Sequence, residues 1–250
     1  MVECVINHQE TYNIDGILFD KDGTLIKFGS LWVRWAQRFV DAIASKTDMN
    51  VSGKHELAES LGFHYTDGTW DLQGPLCIGS PDDLMTIGAM ILYKKGFPWN
   101  EATEIVGGAL QEVDESDDWK KTIEPIEGLL NLLKKAAEKS LQLGVVTSDH
   151  RENACKHLEQ LQIDHYFKSI LGDDMVERGK PFPDMVYMSC EEMGIQPERA
   201  LIIGDSNGDM ILGKNSNMLA SIGITSEIDN TSTHLKDADH VIEDYDSITL

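Results

Sequence analysis

The chain alternates short apolar segments with helix-like segments, and this alternation is the strongest constraint on its fold. The predicted strands cover residues 14–20, 141–147, 166–171, 200–205, 218–222 and 240–242. Predicted helices at 126–139, 151–161 and 184–193 lie between them, with apolar residues at helical spacing. Helices that connect parallel strands cover both faces of the sheet. The pattern therefore predicts an α/β fold with a parallel sheet and helices on both faces.

A second feature is an insertion that interrupts this alternation after the first strand. Residues 29–122 contain predicted helices at 31–45, 54–61, 82–95 and 100–115, and no strand is evident there. The sequence thus predicts two domains. A discontinuous α/β core consists of residues 1–28 and 123–250, and an all-α domain of residues 29–122 is inserted into it.

The charge balance restricts the partners. Lysine and arginine number 21 against 43 aspartates and glutamates, a net charge of −22. Such acidity argues against nucleic acid or an anionic membrane as the main partner.

No apolar stretch reaches the length of about 18 residues that a membrane span needs, and four scattered cysteines fit a reducing compartment. We therefore expect a cytoplasmic protein, either a monomer or a homodimer.

The first cluster of functional interest follows the first predicted strand. Asp20 and Asp22 are two residues apart, so in extended chain both carboxylates point to one side. Two like charges this close need a cation or a shared proton between them. Gly23 permits a sharp turn whose backbone amides could hold an anion. The cluster is therefore a candidate metal and phosphate site, although the same string also occurs in solvated turns.

A second acidic cluster, Asp205 to Asp209, follows another predicted strand. A calcium loop of the EF-hand type is excluded, because its sixth and twelfth positions would be Met210 and Ser216 instead of glycine and glutamate. In a parallel sheet the ends of the two strands can meet. Up to four carboxylates would then surround one hard cation, for which Mg²⁺ is the best candidate.

Two further polar positions lie at predicted strand ends or in turns. Thr147 and Ser148 end a strand with hydroxyl groups suited to phosphoryl oxygens, and Lys180 lies in a glycine- and proline-bearing turn where it can neutralise charge. Taken singly, Thr147 fits a capping hydroxyl and Lys180 fits a solvated surface charge. Their placement at the ligand-binding edge of an open α/β sheet favours the functional interpretation.

These clusters, in this order, resemble the four motifs of the haloacid dehalogenase superfamily of phosphohydrolases. The motifs are Asp20-Lys21-Asp22-Gly23-Thr24, Thr147 after an apolar strand, Lys180 within GKPFPD, and Gly204-Asp205-Ser206-Asn207-Gly208-Asp209. The resemblance spans most of the chain. It implies a Rossmann-like core, and it implies that the insertion is the helical cap in the C1 position found in phosphoglycolate phosphatases and β-phosphoglucomutases.

The resemblance also implies a role for each motif residue. Asp20 would be the nucleophile that forms an aspartyl-phosphate, and Asp22 would be the general acid and base. Lys180 would orient Asp20 and neutralise charge. The residues implied in phosphate binding are Gly23, Thr24, Thr147 and Ser148. The residues implied in Mg²⁺ binding are Asp20, Asp22 through its backbone carbonyl, Asp205 and Asp209.

The expected substrate is a small anionic phosphorylated metabolite, such as phosphoglycolate or a sugar phosphate. A phosphomutase of the same superfamily remains an alternative, since it needs the same acid and base. A phospho-receiver module is disfavoured, because there the acidic cluster precedes the phosphorylated aspartate, and a silent binding protein would have lost a motif residue. Lys21, at a position that is often apolar in relatives, has no role assigned by sequence.

Overall fold

The computed structural model describes residues 1–116, 118–225 and 232–250. These residues form two compact units, and each is described by itself. One unit, here called the core unit, comprises Met1–Phe28 and Ile123–Leu250. The other, here called the insertion, comprises Gly29–Thr122.

The helices and strands of both units are numbered in chain order. The strands are β1 (Val2–Ile6), β2 (Glu10–Ile14), β3 (Gly16–Phe19), β4 (Phe63–His64), β5 (Thr69–Trp70), β6 (Gln142–Val146), β7 (Ser169–Leu171), β8 (Ala200–Gly204), β9 (Ala220–Ile224), β10 (His240–Ile242) and β11 (Ile248–Thr249). The α-helices are α1 (Phe28–Lys46), α2 (Val51–Ser60), α3 (Pro75–Ile78), α4 (Pro81–Lys94), α5 (Trp99–Asp114), α6 (Leu129–Glu138), α7 (Arg151–Gln160), α8 (Asp184–Met193) and α9 (Asn207–Asn215).

The core unit is built on a six-stranded parallel sheet with the order β10-β9-β8-β3-β6-β7. Strand β3 lies inside the sheet, between β6 and β8, and all four of its residues are buried. Phe19 lies opposite Val145 on one side and Ile203 on the other. The carboxyl ends of β8, β3 and β6 therefore lie at one edge, and the predicted α/β class is confirmed.

Helices flank this sheet and bury its apolar side chains. Helix α8 packs on β6 and β7, and α9 packs on β8 and β9. The core between α8, α9 and the strands contains Leu18, Val146, Leu171, Met185, Val186, Cys190, Met193, Ile202 and Leu212. Burial of such apolar area is the main favourable contribution to folding, so this layer fixes the strand ends on which the polar residues lie.

A second, antiparallel sheet with the order β11-β1-β2 was not predicted from the sequence. The hairpin of β1 and β2 turns through Asn7 and His8, whose φ angles are 51° and 57°. A glycine is the usual marker of such positive-φ turns, and this turn has none. The strand predicted at 14–20 is also shorter than expected, because Ile14 ends β2 and Gly16 begins β3.

The insertion contains the five helices α1 to α5 among its described residues. Trp35 stacks on Phe39 within α1, and its indole Nε1 donates to Asp114 Oδ1 at 2.8 Å. This bond ties α1 to the end of α5.

No described helix, in either unit, has the length and apolar character that crossing a membrane requires.

The expectation that the insertion has no strand is wrong at one point. The short strands β4 and β5 pair as an antiparallel hairpin. Gly68 adopts φ +72° in the turn, and Asp67 Oδ1 accepts from the Thr69 amide at 3.1 Å. An Asp-Gly pair beside aromatic and β-branched residues is a hairpin signal, but strands of two residues lie below the length that periodicity can reveal.

Two helical glycines give a matched test of packing in this fold. A Cβ on Gly213 of α9 would lie 2.2 Å from Ser221 Oγ and 2.7 Å from Ile202 Cγ2, whereas one on Gly108 of α5 would meet nothing within 4 Å. We expect Gly213→Ala to lower the free energy of unfolding by about 1–3 kcal/mol through overpacking. Gly108→Ala should raise it by about 0.5–1 kcal/mol. Urea denaturation followed by circular dichroism checks both, and a Gly213→Ala protein as stable as wild type would contradict the packing.

Candidate active site

The site lies at the carboxyl edge of the sheet, where three neighbouring strands end in polar residues. Asp20 follows β3, Thr147 follows β6 and Asp205 follows β8. Pairing of β3 with both neighbours brings these positions together although they are far apart in sequence. Open α/β sheets bind ligands at this edge.

Lys180 joins two of the sequence-predicted acidic residues. Its Nζ donates to Asp20 Oδ1 and, at 2.6 Å, to Asp209 Oδ1. The lysine side chain is only 8% exposed and Asp209 only 1%, so the solvated-surface interpretation of Lys180 does not hold. Burial opposes the charge of Lys180, but the two carboxylates outweigh it and raise its pKa above the ordinary lysine value.

Three carboxylates converge on a small volume beside this lysine. One oxygen each from Asp20, Asp205 and Asp209 lies within 4.8 Å of the other two. Asp209 is held by the capping box of α9, in which Ser206 Oγ donates to its Oδ2 at 2.6 Å. Asp205 therefore reaches the cluster from the turn between β8 and α9, and Asp209 reaches it from the first turn of α9.

The crowding shifts the protonation of two of these carboxyl groups. Burial raises the pKa of Asp20 to about 7, and the neighbouring Asp209 and Asp22 add to this while Lys180 opposes it. Burial, Asp20 and Asp209 raise the pKa of Asp205 well above its ordinary value. Three carboxylates thus face one ammonium group, and the excess negative charge fits a divalent cation. Hard oxygen donors are the ligands that Mg²⁺ prefers, so these residues fit that ion.

Glycines allow the two acidic motifs to approach each other. Gly23 has φ +77°, and a Cβ there would lie 2.1 Å from Asp205 Oδ2. A Cβ on Gly204 would lie 2.3 Å from Asp209 Cγ. A larger residue at either position would displace a carboxylate of the cluster.

The backbone amides predicted to hold an anion in the first motif are engaged within their own loop. The Gly23 amide donates to the Ile26 carbonyl at 2.8 Å, and the Thr24 amide donates to the Lys21 carbonyl at 3.4 Å. Thr24 Oγ1 is buried, with no hydrogen-bond partner among the described residues. Gly23 therefore acts here through its conformation, and phosphate binding by Gly23 and Thr24 stays a prediction.

Thr147 and Ser148 extend the site from β6. The Thr147 side chain is buried, and its Oγ1 accepts from the Asp149 amide at 3.2 Å. Accepting this bond leaves the hydroxyl able to donate its own hydrogen. Ser148 is half-buried beside it. The position of Thr147 is compatible with the predicted contact to a phosphoryl oxygen.

Asp22 lies next to the carboxylate cluster in sequence, but its side chain has a different partner. Lys21 Nζ is 2.7 Å from both Asp22 Oδ1 and Oδ2. The same ammonium contacts Asp149 and His157. Sequence reasoning missed this group, because nothing in the spacing of Lys21, Asp149 and His157 indicates that they meet.

The fold and the site together define the class. Asp20, Lys180, Asp205 and Asp209 meet at the carboxyl edge of a parallel α/β sheet, the edge where such sheets bind ligands. The family model for haloacid dehalogenase-like hydrolases matches residues 17–222. The chain belongs to that family, as its four motifs indicated.

Curated relatives match over a smaller part of the chain. The pyrophosphatase PpaX of Halalkalibacterium halodurans is 31% identical over 102 residues, 41% of this chain and 47% of that protein. The phosphoglycolate phosphatase of Escherichia coli strain K12 is 38% identical over 87 residues, 35% of this chain and 34% of that protein. The matches thus span about half or less of these relatives.

Solved structures match over nearly the whole chain. A predicted phosphoglycolate phosphatase from Haemophilus somnus 129PT superposes with a TM-score of 0.66 at 16% identity, covering 93% of this chain and 95% of that one. A protein assigned as a β-phosphoglucomutase, from Thermotoga maritima, gives 0.63 at 19% identity, covering 94% and 96%. At such identities these matches establish the shared fold.

Cation binding and pH should be linked at the carboxylate cluster. The raised pKa values mean that, without metal, ionisation of these carboxyls destabilises the fold as pH rises above the ordinary aspartate value. For Asp20 this loss extends to about pH 7, and Asp205 acts in the same direction. A cation must displace the remaining protons below that pH. We expect saturating MgCl₂ to raise the melting temperature by about 3 °C or more at pH 8, and by less at pH 5.5.

The matched variants are Asp205→Asn, which should abolish the shift, and Asp164→Asn, which should keep it because that side chain is 42% exposed beside His165. Differential scanning fluorimetry provides the measurement. An equal shift in wild type and Asp205→Asn would show that Mg²⁺ binds elsewhere.

Proposed function

We propose that this chain is a Mg²⁺-dependent phosphatase that hydrolyses a small phosphorylated metabolite through an aspartyl-phosphate on Asp20. The observation that carries the proposal is the buried Asp20 carboxylate at the end of β3, bonded to Lys180 and beside Asp205 and Asp209. The hydrogen bond from Lys180 orients this carboxylate, and the positive charge of the lysine opposes its protonation. Membership of a hydrolase family supports the same chemistry.

In the first half-reaction a carboxylate oxygen of Asp20 attacks phosphorus. The new bond joins Asp20 to the phosphoryl group, and the bond from phosphorus to the leaving oxygen breaks. Asp22 gives its proton to that oxygen, so the product leaves as an alcohol. In the second half-reaction Asp22 takes a proton from water as the water oxygen bonds to phosphorus. The bond from phosphorus to the Asp20 oxygen breaks, which releases inorganic phosphate and restores the Asp20 carboxylate.

Other groups of the site would place positive charge beside Asp20. Mg²⁺ would be held by Asp20, Asp205, Asp209 and the backbone carbonyl of Asp22. When bound, it would offset the repulsion between an anionic nucleophile and an anionic substrate. Lys180 holds a positive charge beside Asp20, where negative charge on the phosphoryl group would collect.

The Thr147 hydroxyl and the Ser148 amide would donate to the oxygens of the transferring phosphoryl group. Gly23 would permit the turn of the first motif, and Thr24 would line the same pocket. This division of roles follows the family motifs residue by residue and is compatible with the buried position of Thr147.

We further propose that residues 29–122 are the cap domain of the family and that residues 1–28 and 123–250 are its core domain. The cap would select the leaving group, since the roles assigned to the core motifs concern the phosphoryl group and the oxygen that leaves from it. Phosphoglycolate and sugar phosphates are the first substrates to test, and the PpaX relative adds pyrophosphate to the panel. A phosphomutase of the same family is the second candidate, because the fold also matches the protein assigned as a β-phosphoglucomutase.

Removal of the nucleophile tests the core of the proposal. Asp20→Asn should lower turnover of 4-nitrophenyl phosphate by about 10³-fold or more, because an amide is a far weaker nucleophile than a carboxylate. Asp164→Asn, at an exposed aspartate of the same unit, should retain wild-type activity. Steady-state assays with Mg²⁺ provide the comparison, and equal hydrolysis by wild type and Asp20→Asn would refute the nucleophile.

The role of Asp22 predicts a dependence on the leaving group. A nitrophenolate leaves without protonation, whereas an alkoxide needs an acid. Asp22→Asn should therefore lower kcat/KM for an alkyl phosphate about 10²-fold more than for 4-nitrophenyl phosphate. The ratio of the two kcat/KM values is the readout. A ratio unchanged from wild type would remove Asp22 from the role of general acid.

A further inference from the structure

Lys21 is a fully buried lysine inside the first motif. Its exposed fraction is 0%, whereas lysine is almost never fully buried unless it is paired. Its backbone carbonyl accepts from the amides of Leu25 at 2.8 Å and Ile26 at 3.0 Å. The residue is therefore fixed at its backbone as well as at its ammonium group.

The Lys21 ammonium contacts side chains from two parts of the core unit. Nζ lies 2.7 Å from the Asp22 carboxylate, 3.2 Å from Asp149 Oδ2 and 3.1 Å from His157 Nδ1. Burial and the nearby Lys21 lower the pKa of His157 well below its ordinary value, so its neutral ring can accept a hydrogen bond through Nδ1. Asp149 and His157 are themselves only 4% and 8% exposed.

The support for Lys21 is in turn held in place. Asp149 Oδ1 accepts from the His150 amide at 2.8 Å, and the Asp149 amide donates to Thr147 Oγ1 at 3.2 Å. His157 lies on α7, the helix that follows. A continuous set of polar contacts therefore connects the Asp22 carboxylate with the Thr147 side chain.

We propose that Lys21, supported by Asp149 and His157, is a positioning residue that holds the Asp22 carboxylate in place for proton transfer to and from the substrate oxygen. The inference rests on the proposed phosphatase function, in which Asp22 is the acid and base. Lys21 Nζ contacts the Asp22 carboxylate, and it would act on the reaction through that carboxylate.

A purely structural ion pair would give a different result from a positioning residue. Loss of a structural pair would slow the reaction of every phosphate ester to the same extent. Loss of a residue that positions the acid should slow the reaction of an ester whose leaving group needs a proton more than the reaction of one whose leaving group does not. The leaving-group dependence of kcat/KM separates the two, because kcat/KM covers steps only up to the first irreversible one, the transfer of phosphorus to Asp20.

The primary variant is Lys21→Met, which keeps the length of the side chain and removes the ammonium. Its kcat/KM should fall about 10-fold to 100-fold more for the alkyl phosphate that wild type turns over fastest than for 4-nitrophenyl phosphate. In an Asp22→Asn background, Lys21→Met should change the ratio of the two kcat/KM values by less than about 3-fold, since the effects of coupled residues are not additive. Lys156→Met is the matched control, because that lysine is 46% exposed and pairs with Glu152 on α7. It should leave both values unchanged.

If Lys21→Met does not fold, Asp149→Asn provides the test. This change keeps the shape of the side chain and removes one charge that supports Lys21. We therefore expect kcat/KM to fall more for the alkyl phosphate than for 4-nitrophenyl phosphate, by a smaller factor than in Lys21→Met. Crystal structures of the wild-type protein and the variant give a readout independent of activity. The Asp22 carboxylate should lie within about 3 Å of Lys21 Nζ in wild type and take another rotamer in the variant.

Each outcome decides one claim. Equal losses for both esters, or a wild-type crystal structure with Asp22 away from Lys21, would overturn the positioning role even in an active phosphatase. A wild-type protein that hydrolyses no phosphate ester would overturn the proposed function instead. The crystallographic comparison would then still decide whether Lys21 holds Asp22.

Discussion

One buried lysine, Lys180, lies among three carboxylates at the carboxyl edge of the sheet, and the chemistry of the site depends on this excess of negative charge. Asp20 follows β3, Asp205 follows β8 and Asp209 lies in the first turn of α9, and Lys180 joins Asp20 to Asp209. Such a group is costly to bury unless its charges are paired. The parallel pairing of β3 with β6 and β8 sets the positions, so the packing of the core determines the electrostatics of the site.

A second buried lysine, Lys21, lies in the first motif, and each of the two aspartates of that motif pairs with a different lysine. Lys180 pairs with Asp20, and Lys21 pairs with Asp22. The two carboxylates, only two residues apart, are thereby placed in different electrostatic surroundings. Under the proposed function Lys180 favours the anionic form that Asp20 needs in order to attack phosphorus, and Lys21 holds the Asp22 carboxylate in place.

Sequence predicted the parts of the fold that depend on long apolar segments. Strands β6, β8 and β10 and helix α8 lie within one residue of their predicted bounds. Strands β6 and β8 are almost wholly buried and have mostly apolar sequences, and Pro183 marks the start of α8. The hairpin of β1 and β2 was missed, since Asn7 and His8 give no glycine signal. The contacts of Lys21 with Asp149 and His157 could not be predicted, because they depend on how α7 packs beside the sheet.

The most direct test of the account is identification of the residue that carries phosphorus during turnover. The protein is mixed with substrate and Mg²⁺, quenched rapidly in acid and reduced with borohydride, which converts an acyl phosphate of aspartate to homoserine. Mass spectrometry of the peptide containing Asp20 then locates the change. The account predicts homoserine at position 20 only when substrate is present. Turnover without this product, or with the change at another residue, would contradict it.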